Sequence, residues 1–279
     1  MKRKMLLGLA LALLVAGAAL VFLFRPTGGT AVAKKDAVDS FRKNQKAPDE
    51  GSRTRDAGGR PAAHDPVAPP VGVYTYIASG QQKIKLGPLP EETRTLPSEI
   101  VAGVIADPGK ASGGAAVDDC FTFELNLFVE HIERTRYCLD GGSLRLDEHD
   151  KAMKIGPVSA TADLDCSPKM SIAVDQPISG RSCQLKLSGG PMSVEANFEG
   201  STEIGDETSL EIDGGSVAVR LVTITYVASG SVTGTWVERF WLSTADWLPV
   251  RIQRDVALVG PTTLTENSQL TLKSMEPAV

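Results

Sequence analysis

The residues of this sequence that could do acid–base or metal chemistry are three histidines and the carboxylates beside them. His64 lies in a stretch rich in proline and alanine, His131 follows an alternating apolar segment, and His149 stands between Glu148 and Asp150. Carboxylates on both sides of an imidazole are compatible with a metal site or an acid–base site. The alternative is a solvated turn around His149 and an outward-facing strand position for His131. We favour that alternative.

Short catalytic motifs do not occur in the chain. It has no G-x-S-x-G elbow, no H-E-x-x-H pair and no phosphate-binding glycine-rich loop. Its glycine pairs lie where hairpin turns are expected, for example at 213–215. The sequence therefore predicts no catalytic residue, no cofactor-binding residue and no metal ligand. A hydrolase whose site is assembled from distant residues stays open as one hypothesis.

The four cysteines predict two disulfides. They are Cys120, Cys138, Cys166 and Cys183. An even number of cysteines is typical of an exported domain in an oxidising compartment. Three pairings are possible, and the spacings favour the sequential one, in which each disulfide closes a loop that two paired strands could span. A zinc site fits poorly, because no cysteine or histidine pair has ligand spacing.

Aromatic residues near the C-terminus offer one candidate ligand surface. Trp236, Phe240, Trp241 and Trp247 fall within twelve residues. Trp236 and Phe240 share a strand face, interrupted by Glu238, whereas Trp241 faces the other way. These side chains could stack on a sugar or on an apolar ligand. The alternative, in a domain with few aromatic residues, is that they are core anchors.

Period-2 alternation of apolar and polar residues predicts the elements that would position these side chains. It is clear at 121–127, 192–199 and 250–258, where Arg254 interrupts the apolar face. Four long strands at 217–228, 232–242, 248–258 and 263–273 predict a meander. We expect a mainly β domain at about 71–276, built as an antiparallel curved sheet, half-barrel or sandwich.

The N-terminal part predicts a membrane anchor and a tether. Residues 1–4 are basic, and residues 5–24 form an apolar run of 20 residues, roughly 30 Å long as a helix, which matches a bilayer core. A cleaved signal peptide is the alternative, although the apolar run is longer than usual for one. The basic stub predicts a cytoplasmic N-terminus and an extracytoplasmic C-terminal domain. Residues 25–70 predict a disordered linker, in which a short helix around 36–45 is compatible with the composition.

Charge separates the two parts of the chain. Residues 1–71 carry 12 Lys and Arg against 6 Asp and Glu, whereas residues 72–279 carry 17 against 28. An acidic domain repels phosphate backbones, so nucleic acid is excluded as an expected partner. Anionic lipid headgroups would also repel this domain, so we expect contact with the membrane through residues 5–24.

Three features of the chain carry a resemblance to known families. The opening at 72–76, the two cysteine pairs and the closing stretch at 240–250 resemble uncharacterised, membrane-anchored envelope proteins of actinobacteria, over most of residues 71–275. The closing stretch is also similar to the end of half-barrel lipoprotein carriers of the LolA and LppX type. That second resemblance implies a curved antiparallel sheet, covered by helices, that holds acyl chains.

Three functional hypotheses follow. The first is a single-pass cell-membrane protein whose β domain is a non-enzymatic interaction or structural module of the cell envelope, with an envelope protein, the cell wall or a lipid as its unknown partner. The second is a domain that binds a lipid or another apolar ligand. The third is the hydrolase, which requires His131 or His149 to meet carboxylates in a cleft.

Overall fold

The structure, a computed structural model, describes residues 29–44, 67–108, 119–140, 143–155, 157–167, 169–172, 179–189 and 194–279. The predicted anchor at 5–24 lies outside the described residues. Within the described part of the chain, no helix is both long enough and apolar enough to cross a membrane.

Fourteen antiparallel strands and one helix, α1 (Lys34–Asn44), make up the described structure. The strands are β1 (Gly72–Leu86), β2 (Glu92–Thr95), β3 (Glu99–Pro108), β4 (Asp119–Phe128), β5 (His131–Asp140), β6 (Ser143–Ile155), β7 (Val158–Ser167), β8 (Met170–Ile172), β9 (Ser179–Ser188), β10 (Val194–Ile212), β11 (Gly215–Ser229), β12 (Thr233–Ser243), β13 (Pro249–Val259) and β14 (Thr262–Leu272). The mainly β prediction is confirmed, and the predicted meander corresponds to β11–β14, which are neighbours in chain order.

The sheet closes on itself. Strand β14 pairs with β1 from Tyr76 opposite Leu272 to Leu86 opposite Thr262, so twelve strands form a closed barrel. The short strand β2 pairs with β1 on the same edge as β3, further along β1, and β8 pairs with β6. The sequence left a curved sheet, a half-barrel and a sandwich open, and the structure shows full closure instead. Closure pairs the backbone groups that an open edge would expose.

Short turns connect several neighbouring strands in the described part of the chain. Between β10 and β11, Asp213 and Gly214 have φ angles of 52° and 77°. Two positive φ angles match the twist of a two-residue hairpin loop, which explains the glycine at the second position. The turn predicted from this glycine-rich stretch is therefore confirmed.

Both predicted disulfides form between neighbouring strands. Cys120 on β4 pairs with Cys138 on β5, and Cys166 on β7 pairs with Cys183 on β9. In each case the two cysteines stand directly opposite one another in the strand register, with Cα atoms 4.0 Å apart. The sequential pairing favoured by the spacings is confirmed.

Helix α1 packs on the outside of the barrel, within the stretch for which the sequence predicts a linker. Phe41 is buried against the outward-facing side chains of Val73 on β1 and Val101 on β3. The segment before the helix is also attached, because Thr30 donates from its backbone N–H to Glu130 (2.8 Å) and accepts a bond from the N–H of Val129 (2.8 Å). One apolar face on a short helix is enough to bind it to an apolar strip of sheet.

Candidate functional site: an ionic cluster inside the barrel

The two histidines of the β domain lie inside the barrel. His131 is 0% exposed and His149 is 8% exposed. The favoured expectation, an outward strand position for His131 and a solvated turn at His149, is therefore wrong. On β5 the alternate residues His131, Glu133 and Thr135 all point inward, so polar residues occupy the strand face that normally carries apolar ones.

Arg254 on β13 stands at the centre of the buried charges. Its guanidinium lies 2.6 Å from Glu133, 2.9 Å from Glu238 and 3.8 Å from Glu266, measured between nitrogen and carboxylate oxygen. All four side chains are nearly inaccessible to solvent. Since β5, β12, β13 and β14 each contribute one member, a single cation connects four strands across the interior.

Glu133 has two further cationic or polar neighbours. Lys151 on β6 places its ammonium 3.0 Å from Glu133, and His131 Nε2 lies 3.1 Å from the same carboxylate. On its other side, His131 Nδ1 lies 3.1 Å from the side-chain oxygen of Gln82. The strands β5 and β6 are thereby joined to β1 through side chains.

The cluster also connects the two strands that close the barrel. Gln82 on β1 donates to Glu266 on β14 over 2.8 Å, and Ser268 donates to the other oxygen of Glu266 over 2.5 Å. Together, Arg254, Glu133, Glu238, Glu266, Lys151, His131, Gln82 and Ser268 are called the ionic cluster below. They link β1, β5, β6, β12, β13 and β14.

The pKa values of two buried carboxyl groups, Glu133 and Glu238, shift in opposite directions. Burial acts to raise the pKa of Glu133, but Arg254 and Lys151 overcome it and hold that pKa well below its ordinary value. For Glu238 burial dominates and raises the pKa, against the opposing attraction of Arg254 and Lys151. Burial also opposes the charge of Arg254, yet the three carboxylates raise its pKa further. Glu133 is thus the anion that the cluster stabilises most clearly.

His149 forms a second polar group next to the ionic cluster. Its Nδ1 lies 2.8 Å from the hydroxyl of Thr135, and its ring packs against Trp236 with centroids 5.8 Å apart. Burial, reinforced by the nearby Lys151, lowers the pKa of His149 to about 3. The imidazole is therefore neutral at physiological pH, and one of its ring nitrogens is an acceptor.

A small cavity separates His149 from the ionic cluster. It has a volume of about 20 Å³, and its polar lining is formed by Glu133, Thr135, Tyr137, His149, Glu238 and Arg254. The ion-pair distances within the cluster are short, but Glu238 Oε1, Arg254 Nε and both oxygens of Glu133 lack hydrogen-bond alignment with the described protein atoms. The Nε2 of His149 likewise has no partner among the described residues.

The aromatic residues singled out in the sequence are divided between the two faces of the barrel. Trp236 and Phe240 point inward, where Lys151 lies 4.0 Å from the centre of the Trp236 ring. Trp241 faces outward beside Arg251, and Trp247 is buried in the turn after β12 with a φ of 59°. The structure does not bring the four together as one surface. Whether any of them contacts a ligand stays a prediction.

A larger pocket lies on the outside, between α1 and the barrel. It has a volume of about 290 Å³. Its lining includes the apolar residues Val73, Ile105 and Ile132 of the barrel and the charged residues Asp36 and Arg134. We call this pocket the helix groove. It was not visible in the sequence, because it depends on where α1 packs.

The interior brings one of the two histidines together with a carboxylate. His131 does meet a carboxylate, as the hydrolase hypothesis requires, but the pair is enclosed and the adjoining cavity holds about 20 Å³. Among the residues that the structure describes, no three His, Cys, Asp or Glu side chains converge as metal ligands. Sequence reasoning noted Glu238 and Arg254 as interruptions of apolar faces but missed Glu133, Lys151 and Glu266. For Glu238, Arg254 and Glu266 the signal was a charged residue at an inward position of an alternating strand, whereas the inward positions around Glu133 are themselves polar.

Comparisons with protein-family models, with curated proteins and with solved structures find no match to this chain. The resemblance to actinobacterial envelope proteins and to half-barrel carriers stays a prediction.

Proposed function

We propose that this chain is a membrane-anchored, extracytoplasmic protein whose barrel is a non-enzymatic interaction or structural module of the cell envelope. The proposal rests on the side chains that fill the interior of the barrel. Its interior is occupied by apolar side chains and by the ionic cluster, and the cavity beside that cluster has only about 20 Å³. Ligand pockets for small molecules are usually about 300–1,000 Å³.

The outer surface carries a larger pocket. The helix groove, at about 290 Å³, is close to the size of a small ligand pocket and combines apolar with charged lining residues. A groove of this kind suits an apolar side chain of a partner protein. The two disulfides support the extracytoplasmic location, since such bonds persist in oxidising compartments.

Native mass spectrometry of the full-length protein, produced in an envelope-bearing host, tests the proposal against the carrier hypothesis. We expect the apo mass, with residues 5–24 retained, under conditions that preserve a control lipid complex. An adduct of several hundred daltons that leaves on denaturation would favour the lipid-binding alternative. A mass that lacks the N-terminal segment would contradict membrane anchoring.

Site-specific photo-crosslinking tests the groove in the living cell. We expect a cross-linker at Ile132, in the helix groove, to form a discrete adduct with one envelope component. The matched control position is Val227 on β11, an exposed apolar residue on the opposite side of the barrel. Equal labelling at both positions, or none at Ile132, would contradict a role for the groove.

A further inference from the structure

The cavity between His149 and the ionic cluster has the properties of a hydration site. A cavity of about 10–15 Å³ or more can hold one water molecule, provided that two to four polar partners surround it. This cavity has about 20 Å³, and six of its lining residues carry polar groups. The rest of its lining, which includes Phe123, Leu125 and Phe240, is apolar, and the small volume leaves no room for a larger ligand.

Unpaired hydrogen-bonding groups line the cavity. The Nε2 of His149 is buried without a partner among the described residues, and Glu238 Oε1 contacts Arg254 without hydrogen-bond alignment. Leaving a buried polar atom unpaired is unfavourable, and a bridging water molecule avoids that cost. The Nδ1 of His149 is already engaged by Thr135, so Nε2 is the ring atom available for a water molecule.

We propose that one long-lived water molecule occupies this cavity and bridges His149 Nε2 to the carboxylates of the ionic cluster. The water molecule connects two groups of polar side chains that are otherwise separate: the His149–Thr135 pair and the charges around Arg254. Because a water molecule can both donate and accept, it serves the neutral imidazole in either tautomer. The bridge makes the polar interior one continuous hydrogen-bonded network.

Magnetic relaxation and NMR experiments on the full-length protein test this site directly. With ring-labelled histidine, we expect a nuclear Overhauser cross-peak between the His149 ring protons and the water resonance. Its sign should be the one typical of a water molecule that stays bound for longer than nanoseconds. The Thr135 hydroxyl proton exchanges with bulk water, and this chemical exchange could produce the same cross-peak. Oxygen-17 relaxation dispersion avoids that problem, because it detects the water oxygen itself.

A variant pair identifies the site. His149→Phe removes Nε2 and fills part of the cavity, so the number of long-lived water molecules should fall by one. Thr235→Val, an exposed change one residue from Trp236, should leave that number unchanged. Absence of the His149–water cross-peak in the folded wild-type protein would overturn the proposal, and that measurement does not depend on either variant folding. An unchanged count in a folded His149→Phe protein would overturn it as well.

Discussion

Arg254 and Glu238 stand directly opposite one another on β13 and β12, and the Nε of Arg254 lies 2.9 Å from the Glu238 carboxylate inside the barrel. Each residue interrupts the apolar face of its own strand. In the folded protein the two interruptions coincide, and Arg254 extends further to Glu133 on the far side of the interior. A buried charge is tolerated when its partners are buried with it.

Removing Arg254 should be strongly destabilising. Arg254→Met leaves three buried carboxylates around a missing cation, and breaking such a pair costs about 3–5 kcal/mol in the free energy of unfolding. The matched control is Arg239→Met on β12, which removes an ion pair with Asp255 on the outer face (2.8 Å). We expect that control to cost less than about 1 kcal/mol. Urea denaturation measures both, and equal costs would contradict a central role for Arg254.

The two carboxylates beside Arg254 should differ in their importance. Attraction to Arg254 and Lys151 lowers the pKa of Glu133 despite burial, whereas burial raises the pKa of Glu238. We therefore expect Glu133→Gln to cost about 3–5 kcal/mol. Glu238→Gln should change stability by about 1 kcal/mol or less, because the neutral amide avoids the burial cost of the charge. The reverse order in urea denaturation would refute this assignment.

His149 should make the barrel sensitive to mild acid. Burial lowers its pKa from 6.5 in the unfolded chain to about 3 in the folded protein, so the unfolded state binds a proton first as the pH falls. The stabilising contribution is complete above pH 6.5 and is lost progressively below it. Between pH 7 and 5 the wild type should lose about 2 kcal/mol more than His149→Phe. Equal losses of unfolding free energy in the two proteins would contradict the prediction. The control variant Thr235→Val should lose as much as the wild type.

Each disulfide should stabilise the barrel by a similar amount. The bonds close loops with sequence separations of 18 and 17 residues, which corresponds to about 3 kcal/mol each in the chain-entropy estimate. A peptide map without reductant should recover the linked peptides 120/138 and 166/183. Reductant should then lower the free energy of unfolding of the wild type but leave a variant with all four cysteines replaced by serine unchanged. Free thiols in the unreduced protein would contradict the oxidised, exported state.

Gly80 on β1 should resist substitution at the barrel closure. Its φ is 128°, and a Cβ at this position would lie 2.1 Å from the carbonyl oxygen of Asn267 on β14. We expect Gly80→Ala to cost roughly 1–3 kcal/mol from the backbone conformation alone. Gly103→Ala on β3 is the control, because its Cβ would meet its nearest neighbour at 3.9 Å. That change should stay within about 0.5 kcal/mol by thermal or urea unfolding.

Helix α1 should detach when its apolar anchor is removed. Burial of a phenylalanine side chain contributes about 1.5–3 kcal/mol, so Phe41→Ala should raise amide hydrogen exchange across 34–44 at least about tenfold. The strands should keep their protection, because the helix packs on the outside. Lys43→Ala, at an exposed position of the same helix, should leave the exchange rates unchanged. Fast exchange of the helix in the wild type would contradict its docking.

The local features of this protein could be predicted from the amino-acid sequence. Alternation of apolar and polar residues identified strands such as β4 and β13. Glycine-rich stretches such as 213–215 marked turns between strands, and the cysteine spacing favoured the disulfide pairing that the structure shows. These features depend on residues that are close in the chain. A hairpin brings its two strands together with a short loop, so its partner is found nearby.

Only the tertiary structure decided that the sheet closes, that α1 packs on its outer face, and that the charged residues of alternating strands meet inside. Gln82 and Glu266 are 184 positions apart, and no local pattern relates them. Taken one strand at a time, His131, Lys151 and Arg254 are residues that water would be expected to solvate. Closure of β1 against β14 removes that water, and the cost of burying each polar or charged group is then offset by partners that the other strands supply.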